Sequence, residues 1–163
     1  MDLPRLFLYQ SQLNNQIRKA RGLKGGLIDT QRLALLVEIA ELCNAWREFK
    51  VWRADRSPRR PEMLEEYSDC LHFFASMGLM LGVDPKAVEM QAIQLEDTIT
   101  QFQELFRRVA GIKTPEDWEE AFRLFLGLRK VLGISQEEIE RAHMEKHRIN
   151  YKRLGEEVGH VYQ

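Results

Sequence analysis

The sequence predicts an all-α protein, and three observations carry that reading. Apolar residues recur at three- and four-residue spacing, the period of a helix face. Glycine and proline fall between the apolar stretches, where they end and start helices. No convincing run of alternating apolar and polar residues, the mark of a half-buried strand, occurs in the 163 residues. The pattern predicts a helical bundle of about six helices forming one domain over residues 1–163, long enough to bury roughly two-thirds of its unfolded surface without disulfides or metals.

The first helix is expected from Pro4 to just before Gly22, with Leu6, Leu13, Ile17 and Ala20 as its apolar stripe. After the turn LKGGLID, a second helix is expected from Asp29 or Thr30 to about Trp52, ended by the Arg/Pro stretch RADRSPRRP. A third runs from Pro61 to about Leu81. A short connection between helices two and three favours antiparallel packing. Asp84-Pro85 is expected to open a fourth helix, because Val88, Ala92, Leu95, Ile99, Phe102, Phe106 and Val109 recur at helical spacing. Thr114-Pro115-Glu116-Asp117 reads as an N-cap, a proline at N1 and first-turn acids, so a fifth helix starts there and ends by Gly133. Ser135 with Glu138 forms a capping box for a sixth.

Composition limits the function classes. Charged residues are 30% and apolar ones 44%, and 24 Lys and Arg against 25 Asp and Glu leave a net charge of −1. That balance argues against general binding to nucleic acid or to a membrane surface. No apolar run is long enough to span a bilayer and no secretory leader is visible at MDLPRLFLYQ, so a cytoplasmic location is expected. Cys43 and Cys70 lie in apolar segments and read as reduced thiols rather than a disulfide.

The chemistry is expected from two pairs of acids in the most apolar helices: Glu38 and Glu41 in LALLVEIAELCNAW, and Glu66 and Asp69 in MLEEYSDCLHFFASMGLML. Ionised carboxylates on an oily face cost several kcal/mol each unless paired, hydrogen-bonded or metal-bound. On a helix, Glu38 shares its face with Ala34, Leu35, Leu42, Ala45 and Phe49, and Glu66 with Met63, Cys70, Phe73 and Met77. A lone ExxE is ordinarily a solvated face. Two pairs in adjacent helices, none with Lys or Arg at i+4, point instead to a shared cation. Four oxygen donors without histidine suit Mg²⁺, with Mn²⁺ as a substitute. A di-iron bundle is the alternative. It wants Glu-x-x-His on two helices, a spacing found at Glu140 to His143 and Glu157 to His160 but on neither acid-pair helix. His72 reads as a core or supporting histidine.

Two further polar features stand out. Gln10 interrupts the apolar stripe of the first helix, with Asn14 at its edge. A side-chain amide offers the donor and acceptor that complement a pyrimidine edge, though it can equally cap a neighbouring helix or meet water. Gln12 and Asn15 point the other way and read as solvated. In the C-terminal helix, His143, Lys146, Asn150 and Arg153 form one stripe that could hold a polyphosphate or simply face solvent. Arg53, Arg56, Arg59 and Arg60 read mainly as loop solubility, with room for one to reach a phosphate.

In order, the segments VEIAELCNAWREFKVW, MLEEYSDCLHFFASMGL and EKHRINYKR resemble the dimeric, all-α dUTPases of the MazG-like nucleotide pyrophosphatases. The ExxE, FKxW-like and EExxDxLHF patterns are matched by Glu38, Glu41, Phe49, Lys50, Trp52, Glu65, Glu66, Asp69, Leu71, His72 and Phe73. The C-terminal pattern is matched by Lys146, Asn150 and Arg153, with departures at His147 and Leu154. The resemblance implies a homodimer that hydrolyses dUTP, and dUDP, to dUMP. It implies Mg²⁺ at Glu38, Glu41, Glu66 and Asp69, with Glu41 favoured over Glu38 as general base. It further implies a phosphate grip from Lys50, Lys146, Asn150 and Arg153, uracil read by Gln10 and Asn14, and Trp52 or Phe73 packed on base or deoxyribose. The related dCTP-cleaving and broad MazG enzymes share the acid pairs, and a non-enzymatic helical adaptor is the remaining reading.

Overall fold

A computed structural model describes residues 2–161, with side chains described up to Gly155. Six helices follow one another: α1 Leu3–Arg21, α2 Ile28–Trp46, α3 Arg60–Leu81, α4 Thr98–Gly111, α5 Pro115–Val131 and α6 Gln136–Val161. Among the described residues there is no strand. Helix α3 is the axis of the bundle and touches α1, α2, α5 and α6, while α4 lies on α5 and α2.

The residues of α3 explain its central place. Tyr67, Cys70, Leu71, Phe74, Ala75 and Met77 are all buried, which leaves only a narrow stripe for polar groups. Phe74 meets Trp118, Phe122 and Phe125 of α5 in an aromatic cluster. The polar ends of the buried aromatics are satisfied: Trp118 Nε1 donates to the Phe74 carbonyl at 2.8 Å and Tyr67 Oη to the Phe125 carbonyl at 3.2 Å. Each such side chain contributes about 1.5–3 kcal/mol by leaving water. Gly78 lets α1 approach, because a Cβ there would run into the Phe7 ring.

The termini of α1, α3 and α5 and the start of α6 agree with the sequence reading within a residue or two. At the start of α5, the Thr114 side chain accepts from the Asp117 N–H and Asp117 accepts from the Thr114 N–H. The Ser135–Glu138 capping box is likewise formed. There Glu138 also receives the Arg60 guanidinium at 2.7 Å, which fastens the start of α6 to the start of α3.

Two expectations fail. Helix α2 stops at Trp46 instead of reaching Trp52. Arg47 takes a left-handed conformation, φ 66°, that ends the helix. Its guanidinium is held by the Asp55 main-chain oxygen at 2.9 Å, and residues 47–59 form a longer loop than the short connection expected. Phe49 therefore does not share a helical face with Glu38.

The segment opened by Asp84-Pro85 is not a helix either. Residues 84–97 run irregularly and α4 begins only at Thr98, capped by the Asp97 side chain. The cause is Gln101, fully buried, whose amide donates to the Ile93 and Leu124 carbonyls and accepts from the Leu95 N–H. These bonds satisfy extended backbone that a helix would otherwise have to pair internally. Gly127 of α5 makes the approach possible, since a Cβ there would collide with the Ile93 carbonyl.

Candidate active site

Helices α2 and α3 bring three of the four predicted acids together. Glu38, Glu66 and Asp69 each offer a carboxylate oxygen, and these oxygens all lie within 4.8 Å of one another. Burial pushes the Glu38 carboxyl up to about 7, with Asp69 and Glu41 adding repulsion. Glu66 is likewise pushed up to about 7, by burial first and then by Glu41 and Asp69. Burial also raises Asp69, against the pull of Lys146. Three half-buried acids that resist ionising side by side lack a multivalent counter-charge. Around an octahedral Mg²⁺, oxygens at about 2.1 Å from the ion stand about 3–4 Å from one another. The spacing and the all-oxygen donor set therefore fit such an ion.

Glu41 stands apart from this triad. It is exposed one turn further along α2 and lines a pocket of about 390 Å³ with Glu66, Lys50 and loop arginines. Beside the triad, Lys146 of α6 places its ammonium 2.6 Å from Asp69 Oδ2 and 2.7 Å from Glu65 Oε1. Burial works against that charge, yet the hydrogen bonds to Asp69 and Glu65 hold the lysine pKa above its ordinary value. Sequence reasoning did not single out Glu65 as Lys146's second anchor. The doubled acid of the EExxD stretch is the signal that could have found it.

The predicted C-terminal stripe divides in two. Lys146 reaches the acids, Asn150 is half-buried and Arg153 is exposed, whereas His143 turns inward. Its ring lies 4.4 Å from that of His72, with His147 next to both. Burial pushes all three histidines below the ordinary imidazole value, His143 to about 4. The departure at Leu154 has a packing reason, since that side chain is buried. Of the Glu-x-x-His spacings, Glu157 and His160 lie outside the residues whose side chains are described.

The amides of α1 form a directed chain. Gln10 is 5% exposed. Its Oε1 lies 2.8 Å from His72 Nδ1, its Nε2 donates to Asn14 Oδ1 at 2.9 Å, and Asn14 Nδ2 donates to Ser76 Oγ at 3.0 Å. His72 Nε2 is buried without a partner. A bare ring acceptor there costs less than an orphaned N–H, so the neutral ring carries its proton on Nδ1 and donates to Gln10. Gln12 and Asn15 are exposed, as expected. Phe73 is half-buried on the same face of α3 as Asp69 and Ser76, whereas Trp52 is 71% exposed on the 47–59 loop, edge-on to Phe49. Cys43 and Cys70 are free thiols.

An all-helical bundle with a carboxylate triad on two neighbouring helices and a lysine set against it suits a hydrolase acting on phosphate anhydrides. The dUTPase family model matches residues 2–157, and the chain belongs to that family: it is a dUTP diphosphatase. No curated protein matches the chain. No helix among the described residues is long and apolar enough to cross a membrane.

Proposed function

We propose that the protein carries out Mg²⁺-dependent hydrolysis of dUTP to dUMP and pyrophosphate, and of dUDP to dUMP and phosphate. The observation that carries this reading is the convergence of Glu38, Glu66 and Asp69 in a member of the dUTPase family. These three residues, with Glu41 at their edge, would hold Mg²⁺ or Mn²⁺, which when bound neutralises phosphoryl charge and acidifies water. The side chains supply the remainder. Glu41, exposed at the pocket edge, accepts a proton from the attacking water. Water adds across the anhydride between the α- and β-phosphates, and no covalent enzyme intermediate is needed.

Lys146, with Lys50, Asn150 and Arg153, grips the phosphates through charge-assisted hydrogen bonds. Gln10 and Asn14 present their remaining amide donors and acceptors to the uracil edge. Phe73 packs under the deoxyribose, where a 2′-hydroxyl would lose its solvation. Trp52 is open for ring stacking. The protein acts as a homodimer in the cytoplasm. Leu8, Leu33 and Val37 supply exposed apolar surface for a second copy, which sedimentation would detect.

Product analysis after incubation with Mg²⁺ and, separately, dUTP, dUDP, dCTP, dTTP, dATP, dGTP and UTP tests the reading. Conversion of dUTP and dUDP to dUMP, lost on chelation, supports it. Preferential cleavage of dCTP, or cleavage of several nucleotides, moves the assignment to a dCTPase or a broad MazG-like pyrophosphatase.

A further inference from the structure

We propose that Arg53 and Arg59, together with Arg47 and Lys50, form the seat for the β- and γ-phosphates of the substrate and for the pyrophosphate they become. The inference rests on the reading of the carboxylate triad as the place where the anhydride is cleaved.

Helix α3 gives the substrate a direction. Glu62, Glu66, Asp69, Phe73 and Ser76 follow one another at steps of three and four residues and so lie along one face. At 1.5 Å of rise per residue, Ser76 stands about 10 Å from Asp69 along the axis, and Glu62 about 10 Å away on the other side. The amides that meet Ser76 mark the base end, and the triad marks the centre. The Glu62 end opens into the pocket of about 390 Å³ lined by Arg47, Lys50, Arg53 and Arg59. A nucleotide whose base lies at Ser76 and whose scissile anhydride lies at the triad must send its terminal phosphates there.

Three of the four cations have no structural partner that explains their gathering, and the fourth, Arg47, is paired with Asp55. Among the described residues, the Arg53 and Arg59 guanidiniums make no hydrogen bond or close ion pair, Arg59 acting on Asp55 only through longer-range attraction, and Lys50 Nζ stands 5.4 Å over the Phe49 ring. Glu41, Glu62 and Glu66 line the same pocket, yet none forms an ion pair with the four cations. Arg47 is tied to Asp55, a contact that shapes the loop and leaves its charge at the pocket wall. Arg59 also caps the start of α3, where no side chain satisfies the helix terminus. The positive end of the helix dipole adds to the same field. The pocket sets four cations among three carboxylates, and a pyrophosphate bound there would add charge-assisted, two-pronged hydrogen bonds to guanidinium groups. The neighbouring Arg60 differs, being consumed by Glu138.

The test is calorimetric titration of inorganic pyrophosphate with Mg²⁺, and separately of dUMP with Mg²⁺, into the wild type, Arg53→Gln, Arg59→Gln and the double variant. Arg56→Gln is the control: it removes the same charge from the same loop, but Arg56 does not line the pocket and points its guanidinium to the Glu48 carbonyl. The expected result is pyrophosphate binding weakened roughly 10-fold or more by each pocket variant, with dUMP binding and Arg56→Gln unchanged. Wild-type protein that fails to bind pyrophosphate, equal losses for pyrophosphate and dUMP, or an equal loss in Arg56→Gln would each overturn the seat. Binding is read without turnover, so a protein that binds pyrophosphate through these arginines but leaves dUTP intact would sink the proposed reaction and spare the seat.

Discussion

Lys146 and Asp69 form a pair 2.6 Å apart in which a lysine ammonium stands beside the carboxylate triad. Both side chains are mostly shielded from water, so the attraction between them is less screened than in an exposed salt bridge while burial taxes both charges, and the pair competes with any other cation for Asp69. Lys146→Met is therefore expected to tighten Mn²⁺ binding to the substrate-free protein by several-fold while raising KM for dUTP. Mn²⁺ titration followed by electron paramagnetic resonance, set beside steady-state kinetics, reads both halves. Unchanged Mn²⁺ affinity would show that the pair does not compete.

Removing a donor from the triad separates catalysis from folding. Glu38→Gln and Asp69→Asn should each lower turnover by about 100-fold or more, the scale set by losing charge stabilisation at a phosphoryl centre. Circular dichroism should show the helical content unchanged. Full activity in either variant would mean the acids are structural, as in a helical adaptor.

The raised carboxyls make stability depend on pH. Glu38 and Glu66 titrate near 7 in the folded protein and near 4.5 when unfolded, so between these values the folded state binds more protons. Stability of the metal-free protein from these groups is then present at about pH 4.5 and lost as the pH rises through 7. Glu38→Gln should raise Tm at pH 8 by roughly 2–4 °C, the shift that about 1 kcal/mol produces at this size. Mg²⁺ should reverse the wild-type loss above pH 7, because it binds the ionised forms. Thermal melts across pH with and without Mg²⁺ give the slope, and a Tm rising from pH 5 to 8 without metal would contradict it.

Base choice should depend on the Gln10 network more than rate does. Gln10→Ala is expected to reduce the ratio of dUTP to dCTP hydrolysis by roughly 10-fold or more, with kcat for the better substrate less affected. His72→Phe, which leaves Gln10 Oε1 without its donor, should move the same ratio in the same direction. Competition assays with both nucleotides in one vessel measure it directly.

Gly127→Ala tests the packing of the irregular segment. The added methyl meets the Ile93 carbonyl, so the segment must shift, at roughly 1–3 kcal/mol. Urea unfolding would register the loss, while Gly155→Ala, inside α6 with open space around it, should be no less stable than the wild type and gain up to about 1 kcal/mol of helix propensity.

Much of this molecule is written in its apolar spacing and its caps. The starts of α5 and α6 are legible because Thr114–Asp117 and Ser135–Glu138 are local devices that need nothing from elsewhere in the chain. The acids of α2 and α3 are legible because charge on an oily face demands a partner. What was hidden depends on distant residues. The spacing of Val88, Ala92 and Leu95 suits a helix, but Gln101 and Gly127 decide the segment by satisfying and admitting its extended backbone. Likewise, α2 ends at Trp46 because Asp55, nine residues on, captures Arg47. That early end releases Lys50 and the arginines into a pocket the helical reading did not contain.

The hydrogen-bonded series from His72 through Gln10 and Asn14 to Ser76 runs in one direction only. Reversing either amide would require reversing the other and moving the imidazole proton to a nitrogen with nothing to receive it. Under the proposed function, the pattern of donors and acceptors offered to a base would thus be a single binary setting, stored in the position of one proton on His72 and copied along α1.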